Sequence, residues 1–255
     1  MRTMQKNPYT PIFTPRFHLP DATLTGMEVR IKRGQRLLSA NDAFNLVQSG
    51  NGGNLLAQIA QHWSQWRQKE EKPLYLSWEL PSKTHPDELK CFLDEWSRAL
   101  PLQQLEIVLD ADDLTVNEAL SKAQQLFTHL PDKRIRRGLF HSQPCIFDAD
   151  ALCQRIDTLK LKRCAIMEMK DQVAVACLGH ALIERLNQEN IAIVADDLYS
   201  REDVTSAILM GIRYGQGYFL SRNQAPQKPV KTLKKRPGAD VYERRIGGFP
   251  DLSWI

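Results

Sequence analysis

The chain has 255 residues, of which 42% are hydrophobic, and a formal net charge of +4 at pH 7. This length suits one large α/β barrel, which needs about 250 residues, or two small domains. No run of about 18 apolar residues is present and the first residues lack an apolar signal-peptide core, so we expect a soluble cytoplasmic protein without a membrane span.

Strand and helix patterns alternate along the chain. Alternating apolar and polar residues predict a strand at 26–32, and helical spacing of apolar residues predicts helices at 41–49 and 54–68. The other predicted strands are 73–77, 105–109, 135–140, 163–169, 191–195 and a short last strand that ends on Gly217-Tyr218. The other predicted helices are 86–100, 115–130, 148–158, 173–190 and 201–211. Strands separated by single helices are typical of parallel sheets, and about eight of them favour a closed barrel.

Cysteines and tryptophans add little functional signal. The five cysteines form no CxxC pair and no zinc-like cluster with histidine, so we expect reduced and mostly buried thiols. Four of the five tryptophans are expected in the core: Trp63, Trp66, Trp78 and Trp96.

The C-terminal segment is basic. Residues 227–255 carry seven Lys or Arg and only three acidic residues. Such a tail could contact nucleic acid or an acidic partner, or it could be a solvated terminus.

Two groups of short motifs lie near the ends of the chain. Near the N-terminus, Pro11-Ile12-Phe13 is followed by Gly26-Met27-Glu28-Val29-Arg30, and near the other end Ala195-Asp196-Asp197 precedes Gly215-Gln216-Gly217-Tyr218. These motifs resemble the opening and closing motifs of EAL domains, the bacterial cyclic di-GMP phosphodiesterases. The resemblance covers about residues 8–226 and implies an α/β fold, the EAL-type modified (β/α)8 TIM-like barrel. It divides the chain into a degenerate EAL domain, 1–226, and the basic tail, 227–255.

The resemblance assigns five residues to ligand-binding or metal-binding positions of the family. Glu28 keeps a metal-ligating carboxylate, Lys32 replaces the arginine that contacts the phosphodiester, and Asp196 replaces the first Glu of the A-E-G-V-E motif. Glu106 keeps the first Glu of the third strand's E-[IL]-T-E motif, and Gln216 keeps a residue that contacts the ligand. These five are vestigial candidates for ligand binding, with Glu28, Glu106 and Asp196 the candidates for metal.

By the same resemblance, several positions are lost. Tyr75 stands at the Asn of V-N-[LIV]-S, Leu109 at the second Glu of E-[IL]-T-E, and Ala165 and Met167 at the Lys and Asp of K-[IL]-D. No acidic pair stands at 139–144, and the following Asp148 is interpreted as a helix cap. Because two-metal hydrolysis needs several oxygen ligands and a bridging carboxylate, no catalytic residue and no cofactor is expected; Mg²⁺ would bind only if the vestigial site functions.

The resemblance implies a catalytically inactive regulator that acts through protein–protein contact, in control of motility, biofilm or virulence gene expression. Its expected partner is a regulatory protein such as a transcription factor, and a homodimer is compatible with the family. Cyclic di-GMP is not expected to bind. The alternatives are a cyclic di-GMP receptor that does not hydrolyse its ligand, a residual phosphodiesterase, and nucleic-acid binding through the tail.

Overall fold

The computed structural model describes residues 8–51, 53–67, 74–130, 132–142, 148–171 and 173–220; the predicted tail lies outside them. The strands are β1 (Tyr9–His18), β2 (Thr23–Arg33), β3 (Arg36–Leu37), β4 (Tyr75–Leu80), β5 (Leu105–Asp110), β6 (Arg136–His141), β7 (Thr158–Lys162), β8 (Ala192–Asp196) and β9 (Tyr214–Gln216). The helices are α1 (Ala40–Leu46), α2 (Gly53–Arg67), α3 (Pro86–Ala99), α4 (Val116–Phe127), α5 (Ala149–Cys153), α6 (Arg163–Asp171), α7 (Val173–Gln188) and α8 (Arg201–Leu209). A π-helical segment, Val47–Asn51, and a 3-10 turn, Leu102–Gln104, complete the described elements.

Eight of these strands close into a barrel. Their hydrogen-bonded order is β1-β9-β8-β7-β6-β5-β4-β2, and the pairing of β1 with β2 closes the ring, while β3 is a short extension on β2. Neighbours from β2 through β4 to β9 are parallel, whereas β1 is antiparallel to both β2 and β9. The predicted modified (β/α)8 barrel is therefore confirmed, and one antiparallel strand is its modification.

The core lies between the barrel and the surrounding helices. All four tryptophans expected there are 6% exposed or less, and Trp78 and Trp96 pack against Phe92 with ring centroids 5.3 and 5.5 Å from its ring. The predicted cap of α4 is confirmed, since Thr115 and Glu118 form a capping box. Within the described residues, no helix is both long and apolar enough to cross a membrane.

The largest error of the sequence-based prediction concerns 158–169. The predicted strand 163–169 is helix α6, and the strand is β7. The predicted helix 148–158 ends at the first residue of β7, and 159–162 belong to no predicted element. The buried residues Ala165, Ile166 and Met169 have helical spacing, whereas β7 alternates apolar residues with two lysines. Charged side chains are rarely buried without a partner, so the alternation of leucine with lysine is a weak strand signal.

Three smaller predictions are also corrected. Strand β4 continues to Leu80, three residues beyond the predicted end, and β1 was not predicted as a strand. The expectation of mostly buried thiols is wrong for the described cysteines: Cys91, Cys164 and Cys177 are exposed and Cys153 is partly exposed.

Candidate functional site

A cluster of polar side chains fills the end of the barrel at which the parallel strands finish, the position where barrel enzymes place their active sites. We call it the mouth cluster, and it consists of Glu28 and Arg30 on β2, Glu79 on β4, Lys160 on β7, Asp196 on β8 and Gln216 on β9. Because successive residues of a strand alternate between faces, Glu28 and Arg30 both point to the same side of β2.

Lys160 lies at the centre of this cluster and is 3% exposed. Its ammonium group donates to Glu28 and to Oε1 of Glu79 at 2.7 Å, and it lies 3.1 Å from Oδ2 of Asp196. Burial alone would lower the pKa of Lys160, but the carboxylates of Asp196, Glu28 and Glu79 together raise it above its ordinary value. Lys160 is therefore a permanent cation held between three carboxylates.

Glu28 is 1% exposed and has two further donors. The guanidinium of Arg30 donates to it, and so does the side-chain amide of Gln216, which also donates to Oδ1 of Asp196 at 2.9 Å. Burial would raise the pKa of Glu28, but Arg30 and Lys160 hold it well below its usual range. In turn, the charge of Glu28 raises the pKa of Arg30, despite partial burial.

Glu79 has the opposite shift. Burial and the charge of Glu28 raise its pKa to about 7, although Lys160 and Arg30 act in the other direction. Its side chain is 21% exposed, more than those of Glu28 and Asp196. Its buried position therefore favours the protonated form of Glu79, in contrast to Glu28.

Three carboxylates of the cluster lie close enough together to be compared with the ligands of a metal site. Glu28, Glu79 and Asp196 each offer one oxygen, all within 4.8 Å of one another, and no other such acidic, His or Cys group occurs in the part of the chain that the structure describes. A two-metal hydrolytic centre needs a bridging carboxylate and several oxygen ligands around ions about 3.5–4 Å apart. Here three carboxylates already bind two cationic side chains and an amide, so these residues do not fit a two-metal centre.

Comparisons with known proteins match this geometry at the level of the fold. No protein-family model and no curated protein matches the chain. Among solved structures, BlrP1 of Klebsiella pneumoniae in complex with calcium and cyclic di-GMP superimposes with a TM-score of 0.65 at 15% identity, over 90% of this chain and 60% of that chain. The EAL enzyme Bd1971, bound to cAMP and cyclic di-GMP, gives 0.60 at 17% identity, over 88% and 62%. An EAL domain protein of Listeria monocytogenes gives 0.59 at 18% identity, over 86% and 90%.

The chain adopts the EAL-domain fold. It spans about three fifths of the length of the Bd1971 and BlrP1 chains. At these identities the similarity establishes the fold alone. The chemistry of the site depends on the residues of the mouth cluster.

The EAL fold brings together only part of the predicted site. Glu28, Asp196 and Gln216 meet in the mouth cluster, as described above. Lys32 lies near the end of β2 and pairs with Leu37 of β3. It does not line the cavity of about 290 Å³ that opens beside the mouth cluster. Glu106 lies near the start of β5 and therefore at the opposite end of the barrel from the mouth.

Glu106 belongs to a second buried ion cluster. Its carboxylate accepts from Arg16 at 2.7 Å and from Thr158 at 2.7 Å, and Arg136 lies 3.7 Å away. Burial would raise the pKa of Glu106, but Arg16 and Arg136 lower it to about 2. The charge of Glu106 is balanced by these two arginines, so its role is to stabilise the end of the barrel opposite the mouth.

Some positions that the resemblance assigned to lost family residues lie outside the mouth cluster. Tyr75 lies at the start of β4 beside Gly26, with the guanidinium of Arg136 4.6 Å from its ring centroid, and Glu79 is the β4 residue that reaches Glu28 through Lys160. Tyr75 therefore lies away from the mouth cluster, and Glu79 is the residue of β4 that belongs to it.

Ala165 and Met167 also lie outside the barrel strands. Both lie on α6, whereas the strand after β6 carries Lys160-Leu161-Lys162. The lysine of this strand that enters the mouth cluster is Lys160. Leu109 is fully buried in the hydrophobic core, and the next residue, Asp110, lines the mouth. The signal that could have found Lys160 is the alternation of Thr-Leu-Lys-Leu-Lys ahead of a helix.

Proposed function

We propose that this chain is a catalytically inactive EAL-fold regulator that acts through protein–protein contact, in the control of motility, biofilm formation or virulence gene expression. The observation that carries the proposal is the mouth cluster, in which Lys160 and Arg30 bind the carboxylates that metal-dependent hydrolysis would need. A fold whose central carboxylates are already bound by cationic side chains favours a function carried out by the protein surface.

Neither cation is easily displaced. The guanidinium of Arg30 stays protonated at any physiological pH, and the raised pKa of Lys160 keeps its ammonium charged. A divalent ion would have to displace both from Glu28, or bind beside them against their positive charge. The exchange of an internal ion pair for a metal with an incomplete ligand set is unfavourable.

The charge around the mouth also opposes a nucleotide. Six acidic residues and three basic residues lie in or around it: Glu28, Glu79, Asp110, Asp112, Asp196 and Asp197 against Arg30, Lys160 and Lys162. Without bridging metals, this excess of carboxylates repels a ligand that carries two phosphodiesters.

A cyclic di-GMP receptor that does not hydrolyse its ligand is the second candidate. In its favour are Gln216, which the resemblance assigns to a ligand contact, and the solved complexes of BlrP1 and of the PaMucR phosphodiesterase with cyclic di-GMP. PaMucR superimposes with a TM-score of 0.61 at 16% identity, over 89% of this chain and 94% of that chain. In this chain, however, the side chain of Gln216 already binds two carboxylates. Residual phosphodiesterase activity is the remaining alternative.

Calorimetric titration with cyclic di-GMP in Mg²⁺ separates these functions. We expect no heat of binding. Saturable heat that is lost in Gln216→Ala would favour the receptor and count against the first proposal.

The partner would then be sought by affinity capture with the full chain. We expect a regulatory protein, such as a transcription factor, in a cytoplasmic complex. A capture that repeatedly returns no partner above a tag-only control would contradict the proposal. Nucleic-acid binding through 227–255 is tested in parallel, because phosphate contacts make affinity fall steeply with salt.

A further inference from the structure

A pocket of about 200 Å³ lies near the end of the barrel opposite the mouth, between the end of α4 and the segment that joins α5 to β7. Its lining comprises two arginines, two glutamines, a threonine and a phenylalanine: Gln124, Phe127, Thr128, Arg137, Gln154 and Arg155. No acidic residue is among them, and none of them belongs to the mouth cluster or to the buried cluster around Glu106. The pocket is therefore a separate feature that carries two cationic side chains.

The first arginine, Arg137, is matched by an acidic residue. Its guanidinium donates to both carboxylate oxygens of Asp157, at 2.9 and 3.0 Å, and its main-chain N–H donates to the same carboxylate at 2.9 Å. Burial would raise the pKa of Asp157, but the hydrogen bonds and the charge of Arg137 lower it overall. Asp157 is therefore ionised at neutral pH, and this ion pair adds no net charge to the pocket.

The second arginine, Arg155, has neutral partners only. Its Nε and Nη2 both donate to Oε1 of Gln124, at 3.1 and 3.0 Å, and its Nη1 donates to the main-chain oxygen of Ala151 at 2.8 Å. No carboxylate of the described residues forms a salt bridge with this partly exposed side chain. A guanidinium has five N–H donors, so two of them remain for a ligand. The pocket therefore carries one positive charge without a counterion.

The surroundings of Arg155 favour a singly charged anion. A monoanion balances the one unmatched cation, whereas a phosphate dianion would leave an excess of negative charge. The pocket also adjoins the C-terminal end of α4, where the helix dipole is negative and disfavours a second negative charge. A carboxylate matches the planar donors of a guanidinium, and Phe127 offers an apolar wall to the methylene groups of a side chain.

We propose that this pocket binds the carboxylate of a glutamate side chain presented by a partner protein, with Arg155 as the counterion. The inference rests on the proposed protein–protein function and adds to it a contact surface and the chemistry of the partner. The carboxylate accepts from the two remaining N–H groups of Arg155, and the methylene groups of the glutamate lie against Phe127. The hydrogen bonds to Gln124 and Ala151 already hold the guanidinium in place, so little side-chain entropy is lost on binding.

The test uses a matched pair of capped tripeptides, acetyl-Gly-Glu-Gly-amide and its neutral counterpart acetyl-Gly-Gln-Gly-amide. Binding to the full chain is followed by NMR titration at low ionic strength, because salt screens partly exposed charges. We expect the glutamate peptide to bind about fivefold more tightly, which is the upper end for a partly exposed ion pair. Equal affinities, or no binding of either peptide, would overturn the proposal.

Two variants on the same helix localise the binding without removing Arg155. Gln124→Glu places a carboxylate where Oε1 of Gln124 now accepts from Arg155, so the preference for the glutamate peptide should disappear. Gln125→Glu makes the same change one residue away, at an exposed position outside the pocket, and should alter the affinity by less than about twofold. Equal losses in both variants, or a preference that survives in Gln124→Glu, would contradict the proposed site.

A third peptide, with phosphoserine in place of glutamate, distinguishes the two kinds of anion. We expect it to bind no more tightly than the glutamate peptide, because the second negative charge has no counterion in the pocket. Binding more than about threefold tighter would assign the pocket to phosphate and overturn the carboxylate assignment. These titrations involve neither cyclic di-GMP nor a captured partner, so their failure would leave the proposed inactivity and the protein–protein function separately testable.

Discussion

Lys160→Met replaces the central cation of the mouth cluster by an apolar side chain of similar length. The substitution leaves Glu28, Glu79 and Asp196 facing one another without their shared ammonium group. We expect a large loss of stability, because removal of one partner from a buried ion pair leaves uncompensated charge in a desolvated position.

The size of the stability loss depends on the partners that Glu28 keeps in the variant. Breaking a buried pair costs about 3–5 kcal/mol. Arg30 and Gln216 still bind Glu28, so the lower end, about 3 kcal/mol, is expected. For a domain of this size that corresponds to a fall in Tm of about 6–12 °C.

The loss should depend on pH in a defined direction. In the variant, carboxyl groups without Lys160 have folded-state pKa values above their unfolded values, so the folded state binds more protons than the unfolded state. Stability of the variant therefore falls as pH rises from about 5 to 8, as protons leave the folded carboxyl groups. Urea unfolding of variant and wild type at pH 5 and pH 8 should show a larger difference at pH 8.

Lys162→Met is the matched control, two residues further along the same strand. The side chain of Lys162 is 35% exposed and pairs with Asp112 alone among the described salt bridges. Its loss should cost at most about 1 kcal/mol. Equal effects of the two substitutions, or a loss below about 1 kcal/mol for Lys160→Met, would refute the account of the mouth cluster.

Three further predictions concern the second cluster, the titrating glutamate and the final turn. Glu106→Gln should cost about 3 kcal/mol at pH 7, because Arg16 would stay buried without its counterion. Since the pKa of Glu106 is lowered, this contribution to stability is lost as pH falls from about 4.5 toward 2. Urea unfolding at pH 3 should therefore show a smaller stability difference between variant and wild type than at pH 7. The carboxyl carbon of Glu79 should titrate near pH 7 by NMR, and Glu28→Gln should move its pKa down, since the charge of Glu28 raises it. Gly217→Ala should cost at least about 2 kcal/mol in thermal unfolding, because Gly217 has φ +144° and an added Cβ would lie 2.3 Å from a main-chain nitrogen of the loop after β8.

Each of these has a contrary outcome. A difference for Glu106→Gln that is as large at pH 3 as at pH 7 would mean that the charge of Glu106 is not what stabilises the base. An unchanged titration of Glu79 in the Glu28→Gln variant would show that the two carboxyl groups are not coupled. Wild-type Tm in Gly217→Ala would mean that the turn can shift without cost.

The sequence was most informative at the two ends of the chain. Glu28, Asp196 and Gln216 each lie next to a strong strand or turn signal, so their short motifs could be placed without counting across a long uncertain segment. The structure brings these three together within hydrogen-bond reach. The barrel itself was predicted from the resemblance, since periodicity does not distinguish barrels from other α/β folds.

Glu79 and Lys160 were missed for a physical reason. Both are charged residues on barrel strands, and charged side chains are rarely interpreted as interior ones because their burial is costly without a partner. Here each is the other's partner, at 2.7 Å, across 81 positions of sequence. Pairing over that distance has no local signature, so it becomes visible only once the strands are in place.

The most direct measurement of the central claim is a turnover assay on the full chain with cyclic di-GMP and either Mg²⁺ or Mn²⁺, with detection of the linear dinucleotide. The account predicts no product above a protein-free blank, because Lys160 and Arg30 already bind the carboxylates of the mouth cluster. Product formed by the wild type and abolished by Glu28→Gln would contradict it, since metal would then bind at Glu28 in spite of both cations.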